Sequence, residues 1–382
     1  MSDLCIAPHS PLVFRTGIPW GVTGGSSHFE FPPPPTIAGA LRAAWGDEKK
    51  LDFANEQSHE AVLKLESKGP LLCKFKDDGE VFDVYFPKPL DAVYARKESN
   101  GVFALKPRSV ASPDESGSNQ PDHLQPLVLS EEMPGKPVAG HAFWQRSAME
   151  DWLLNGRTPL GSVSIGTNGP KVESRTHVGI GREGALFQST GLAFGSRDAK
   201  DDLGMLARFA QSLSLAGRRV GGEARSAALL TRTGADPSVF DGPKDTRLFD
   251  GLRTLKAGDS FRLILATPAI FLGGWRPGWI DAVTHEGHPP LTNGRLKLRL
   301  IAAAVDRWIP YSGWDMKRKW PRDVRRMVPA GSVYWFELLQ GTGTELAALW
   351  LRSICDVEQD CLDGLGLVLP GLSYIASDEN SQ

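Results

Sequence analysis

Residues 294–305, GRLKLRLIAAAV, alternate leucine with a cation. Leu296, Leu298 and Leu300 fall on one side of an extended chain, and Arg295, Lys297 and Arg299 on the other. A helix would scatter these leucines around its circumference, whereas a half-buried strand gathers them on one face. The segment therefore commits this part of the chain to a sheet with one face on a core, and its neighbours must supply that core.

They do so in a recognisable order. GDSFRLILATPAIF (258–271) reads as a strand rich in β-formers. AGSVYWFELL (330–339) is another, with Val333, Trp335, Glu337 and Leu339 on one face and Tyr334, Phe336 and Leu338 on the other. TELAALWLRSIC (344–355) carries apolar residues at 346, 349, 350 and 354, a helical stripe with Thr344 as N-cap. GLGLVLPG (364–371) closes as a short strand, and RPGWIDAV (276–283) supplies a short helix. The sequence β-α-β-β-α-β is that of the ferredoxin-like split unit.

The first part of the chain allows the same order. DLCIAPHSPLVFR (3–15) is a strand interrupted at Pro8 and Pro11. PPPPTIAGALRAAWG (32–46) is a helix capped by Thr36, with Ile37, Ala40, Leu41, Ala44 and Trp45 as its stripe. A hairpin over 176–194 follows, then a helix with apolar positions 203, 206, 207, 210 and 213, and a closing strand over 223–232. Between them lie a charged amphipathic stretch (48–66), an aromatic helix (142–154) and a disordered loop (111–126). The expected fold class is α+β, with two ferredoxin-like (RRM-like) domains and long insertions. Residues 1–235 form the first domain, with an insertion at about 47–170; 236–257 connect; 258–382 form the second.

Global charge does not identify a partner, since 43 basic and 45 acidic residues leave a formal net charge of −2. Cys5, Cys73, Cys355 and Cys361 form no C-x-x-C pair, so no metal site is expected and the thiols read as free in a reducing compartment. The N-terminus has no basic segment leading into a long apolar run, and runs such as LIAAAV (300–305) are far short of a membrane span. A soluble cytoplasmic protein without membrane contact is expected.

Familiar motifs fail on context. GIGREG (179–184) fits the dinucleotide fingerprint, but a strand must precede it and a helix follow; here Gly191 breaks the following segment, and a hairpin turn is the better reading. His285 and His288 in HEGH lack a third ligand and read as a surface loop. No nucleophile, base and oxyanion donor assemble, so no catalytic residue and no cofactor is assigned. One feature survives. From Arg295 to Arg326 ten Lys or Arg face three Asp, and six cations fall in 317–326 with Trp314 and Trp320 nearby. Cations mixed with aromatic platforms are what single-stranded nucleic acid requires, although a charge run is also compatible with a solvated loop. A second cluster, Arg218, Arg219 and Arg225, sits beside glycines that let a phosphate approach the backbone.

Four stretches carry a family resemblance: PLVFRTGIPWG with GGSS, leading into FPPPPTIAGALRAAWG; HVGIGREGALFQSTGLAF (177–194); GRRVGGEARSAAL (217–229); and SGWDMKRKWPRDVRRMVPAGSVYWFE (312–337). In that order they resemble the RAMP superfamily of CRISPR systems, most closely the Cas-five-like subunit three of type III-B Cmr effector complexes. The resemblance implies a non-catalytic subunit that holds the repeat-derived 5′ handle of the crRNA, docks on the large polymerase-like subunit and adjoins a backbone RAMP subunit. The residues it points to for RNA are Arg15, Arg42, Arg175, His177, Arg182, Arg218 and Arg219 from the first domain. From the second they are Lys317, Arg318, Lys319, Arg322, Arg325 and Arg326. The family's G-G-E-R-R stretch departs here to GGEARS, with Ala224 after Glu223.

Alternatives stand beside each part of this reading. Arg15 and Arg42 are equally compatible with a structural ion pair near the first helix, and for His177 a structural histidine is a better reading than a base contact. A metal-independent endoribonuclease would have to be built from His28, His177 and Lys171. A protein-bridging scaffold would use the same cations against an acidic partner.

Overall fold

The protein, described as a computed structural model, covers residues 1–17, 28–76, 78–95, 101–108, 124–156, 166–178, 186–195, 202–214, 217–234, 236–315 and 320–373; the side chains of 175–178, 186–189 and 202 also lie outside the described set. It is an α+β fold of antiparallel sheets with few helices.

The first sheet has eight strands in the order Gly217–Arg219, Ser226–Thr231, Ser2–Pro8, Asp202–Phe209, Ser67–Phe75, Val81–Pro87, Phe143–Gln145 and Gly166–Thr167. The second has five, in the order Glu286–Gly287, Lys297–Ala304, Val333–Gln340, Ser260–Leu265 and Val368–Leu372. Taken by rank along the chain, four strands of each sheet stand fourth, first, third, second. All neighbours in these sheets pair antiparallel.

The alternating segment behaves as its pattern requires: Leu296, Leu298 and Leu300 are fully buried and Arg299 is exposed. A register shift between Leu300 and Ala302 then turns Ala302 inward against Trp335. The strand Val333–Gln340 is central and buried on both faces. Tyr334 and Phe336 enter one core cluster, and Val333 and Trp335 the other.

Helices depart from the periodicity reading in four places. The segment with apolar residues at 203, 206 and 207 is not a helix but the strand Asp202–Phe209, sandwiched between Ser2–Pro8 and Ser67–Phe75. A strand covered on both faces is apolar throughout and carries no period of two. No helix forms at 276–283. There the Asp356 carboxylate accepts the Gly278 and Trp279 amides at 3.0 and 3.1 Å and fixes a turn. The helix expected over 344–355 ends at Ala347, because Leu351 and Ile354 donate their amides to Val368 and Gly366 instead. Its cap is Thr342, closed reciprocally with Glu345 as a capping box. The first helix, Pro34–Glu48, starts at Pro33 with Pro34 at its first position and no side-chain cap; Thr36 lies inside it.

The insertion is part of the common core. Its helix Arg146–Asn155 packs on the strand Val368–Leu372 of the second sheet. Between them runs a buried triad: Arg262 pairs with Asp91 and donates to the Trp152 carbonyl, and Trp152 Nε1 donates to Asp91 at 2.9 Å. Asp91 is 0% and Arg262 3% exposed.

Candidate nucleic-acid interface

The four stretches quoted above meet along one extended segment, Pro11–Gly17. Leu12 forms a bridge with Leu192, Val13 with Gly222 and Arg15 with His28, and the Gly17 amide donates to the Pro310 carbonyl at 3.2 Å. Two glycines permit this contact: a Cβ on Gly191 would lie 3.0 Å from Pro11, and one on Gly17 would lie 2.9 Å from Ser312. The ring of Phe29 meets that of Tyr311 at 6.2 Å, so the region after the second sheet's Lys297–Ala304 strand packs on the segment around Phe29.

That region is a β-ribbon. Ile309–Tyr311 pairs with Arg325–Met327, and further out Trp314–Asp315 pairs with Trp320–Pro321. Alternation decides which side chains face out. Met327 is buried, and so Ile309, Tyr311 and Arg325, which share its face, turn inward, while Pro310 and Arg326 turn outward. The Arg326 guanidinium lies 5.2 Å from the centre of the Trp308 ring. At the outer rung Trp314 and Trp320 occupy successive pairs, hence opposite faces, and are 56% and 71% exposed.

The predicted cations divide sharply. Arg325 makes a bidentate pair with Asp360 at 2.8 and 2.5 Å; Asp360 is buried and holds the Arg325 guanidinium above its ordinary pKa. Burial pushes the neighbouring Tyr311 hydroxyl up to about 12. Arg42 is a correction to the set. It is 4% exposed, pairs with Asp363 and donates to the carbonyls of Leu65 and Leu362, so it bolts the first helix to the segment 362–363 and offers nothing to a phosphate. Arg15 is half-exposed and paired with Glu223 at 2.8 Å. Arg218 is half-buried beside Glu48 at 3.3 Å. Glu48 itself accepts the Ser214 hydroxyl and amide, which with Arg218 keep it below its usual range.

Arg219 and Arg322 are exposed and have no carboxylate partner among the described residues. Arg175 and His177 fall on the strand Lys171–Val178, their side chains outside the described set; Arg182, Lys317, Arg318 and Lys319 lie outside the described residues. The hairpin around GIGREG is present as Lys171–Val178 paired with Leu186–Ala193, so a strand follows the glycines and the dinucleotide fingerprint fails.

The strand cations Arg295, Lys297 and Arg299 are already neutralised. Glu286 accepts from Lys297 and Arg299 at 2.7 Å each, which lowers its pKa, and Glu337 and Glu345 approach Arg299 and Arg295. His285 and Glu286 of HEGH do not form a free loop: His285 is buried and Glu286–Gly287 is an edge strand. Sequence reasoning missed Trp308. Its signal was positional, since it directly precedes the IPY strand that pairs with RRM.

Residues 4–373 match the family described as CRISPR-associated protein (Cas_Cmr3). No curated protein matches the sequence. Solved structures that it resembles include a chain of the type III-B Cmr-beta complex bound to cognate target RNA and AMPPnP. The identity is 13%, covering 87% of this chain and 86% of that one, with a TM-score of 0.45. The Csm3–Csm4 subcomplex of the type III-A CRISPR-Cas interference complex resembles it at 8% identity over 89% and 94%, with a TM-score of 0.37.

Proposed function

This chain belongs to the Cas_Cmr3 family of CRISPR-associated proteins, and from that premise we propose that it is a non-catalytic RNA-binding subunit of a cytoplasmic type III-B effector. It binds the 5′ handle of the crRNA and docks on the large polymerase-like subunit beside a backbone RAMP subunit. We read the repeated strand order as two ferredoxin-like domains, 1–235 and 258–382, joined by 236–257. The observation that carries the RNA reading is the convergence of the four motif stretches on Pro11–Gly17. One extended segment thereby touches both the arginine loop, through Val13 and Gly222, and the ribbon that carries Trp308, Trp314, Trp320, Arg322 and Arg326, through Gly17 and Pro310, which supports a shared RNA path.

An endoribonuclease is disfavoured by distance. Lys171 and His177 sit six residues apart on one strand, about 20 Å at the usual rise, so they cannot attend one scissile phosphate. A bridging role has one observation of its own: Leu272 is 77% and Trp275 41% exposed on a loop pinned by Asp356 and by the Tyr334 hydroxyl, which donates to the Trp275 carbonyl. We assign that loop to protein docking alongside RNA binding.

The test is a salt series with handle RNA in EDTA. Six cations, Arg219, Arg322, Arg326 and the three at 317–319, give log K a slope near −4 against log[salt], about 0.7 per contact. A slope near zero, or specific cleavage lost in His177→Ala, defeats the proposal.

A further inference from the structure

A second cationic surface stands apart from the ribbon. It is a cleft of about 490 Å³ where the first sheet meets the helix Thr246–Arg253 and the segment 344–352. The ribbon's inward residues Ile309, Tyr311 and Met327 belong with one core cluster; the cleft's Phe240 and Trp350 belong to the other.

Its chemistry is set by Lys68, on the strand Ser67–Phe75. The residue is 6% exposed, yet its ammonium donates no hydrogen bond among the described residues and meets a carboxylate only at 4.0 Å, that of Glu66. A buried cation without close partners is costly unless something else satisfies it. Burial holds the Lys68 pKa below its ordinary value; Glu66 partly opposes this, and Arg352 and Arg208 push it lower.

The other cations are arranged around it. Arg208 is fixed by Asp3 at 2.6 and 3.2 Å and by Asp241 at 2.5 Å, and it lies over Phe240. Arg253 lies over Phe249 and reaches Asp250 at 3.2 Å. Arg352 is exposed, and its side chain has no partner among the described residues. Arg208 and Arg253 thus have carboxylates of their own. Lys68 has only the distant Glu66 carboxylate and Arg352 none among the described residues, so these two are the least compensated cations of the cleft, whose lining also carries Asp241 beside Arg208.

We propose that this cleft is an anion site that takes a phosphate group on Lys68 and Arg352, with Arg208 and Arg253 as its walls. The phosphate is either that of a free phosphorylated compound or one in an RNA backbone. The ammonium donates one of its three N–H groups to a phosphate oxygen and Arg352 offers a planar fork, joining the first sheet to the segment 344–352 through the ligand. The site does not rest on the ribbon reading.

The experiment is calorimetric titration of the full chain at fixed ionic strength with inorganic phosphate, ADP and an eight-nucleotide single-stranded RNA. The RNA arm uses a chain carrying Arg322→Ala and Arg326→Ala, so that the ribbon contributes little. At least one probe binds saturably at one equivalent, and Lys68→Met and Arg352→Ala each weaken it at least tenfold. Lys68→Met keeps or raises the melting temperature, since it deletes a buried charge and no hydrogen bond; a merely structural lysine would lower it. Arg352→Ala, on the surface, tests the site independently of folding. Binding of phosphate or ADP without RNA identifies a free compound, and binding of RNA identifies the backbone. Absence of saturable binding by all three probes overturns the site, as does equal binding by wild type and both variants. Phosphate binding that survives while the ribbon variants lose handle RNA leaves this site standing and the two surfaces separate.

Discussion

Arg325 and Arg326 are adjacent in sequence and face opposite ways, so their alanine variants should fail in opposite assays. Arg325 shares the inward face with Met327 and neutralises Asp360, which is 3% exposed. Arg325→Ala strands that carboxylate. Breaking a fully buried pair costs about 3–5 kcal/mol. The Arg325 side chain is 39% exposed, so water reaches one end of this pair and the loss is nearer 2 kcal/mol. Thermal melting should fall by several degrees with the RNA salt slope unchanged. Arg326 faces out over Trp308. Arg326→Ala forfeits about 0.5–1 kcal/mol of cation–π contact, so melting barely moves. It also removes one phosphate contact, flattening the log K against log[salt] slope by about 0.7; from 50 to 200 mM salt that contact accounts for about 2.6-fold in affinity. Thermal shift and filter binding on the same preparations read both. An early melt with an intact slope for Arg326→Ala, or a flattened slope at unchanged melting for Arg325→Ala, would refute the assignment of faces.

Three further outcomes follow from the fold. Arg262→Met leaves Asp91 buried and unpaired, so it should cost about 3–5 kcal/mol by denaturant unfolding, whereas Arg262→Met with Asp91→Asn should recover part of that loss. Burial raises the Asp83 pKa against the hydrogen bonds donated by Tyr85 and Gln145 at 2.6 and 2.8 Å. A raised carboxyl pKa favours the fold below the unfolded value and withdraws that support as pH climbs through the folded value. Asp83→Asn, which keeps an acceptor, should therefore raise melting near pH 7 and leave it unchanged near pH 3. Ala224 sits at φ 54° behind Glu223 at φ 57°, so Ala224→Gly should stabilise by about 1 kcal/mol in the same denaturant assay.

The strands of the second sheet were legible because one of them has a solvated face. Arg295, Lys297 and Arg299 reveal the period of two that Leu296, Leu298 and Leu300 alone would leave ambiguous. The strand Asp202–Phe209 has no such face: Leu206 and Ala207 are buried on opposite sides, and Gly204 is held bare because a Cβ would lie 2.8 Å from the Phe75 ring and 2.9 Å from the Ile6 carbonyl. Apolar residues on both sides imitate a helical stripe, and only the neighbouring strands decide between them. The capping box at Thr342 and Glu345 was readable as T-x-x-E and places the helix start two residues before Thr344.

The candidate interface was legible as a cluster but not as a selection. Arg42, Arg299 and Arg325 are indistinguishable in sequence from Arg219, Arg322 and Arg326. What separates them is a carboxylate delivered by the fold: Asp363, 321 positions from Arg42; Glu337, 38 from Arg299; Asp360, 35 from Arg325. A run of positive charge counts cations, whereas a phosphate responds only to those the protein has left uncompensated. The same subtraction applied to the cleft leaves Arg352, and Lys68 with only Glu66 at 4.0 Å, neither of which belongs to a charge run, so the density of cations in sequence and the density of available cations in space point to different places. Their agreement on the ribbon rests on Arg322 and Arg326, which have no carboxylate partner among the described residues, whereas Arg325 on the inward face is spent on Asp360.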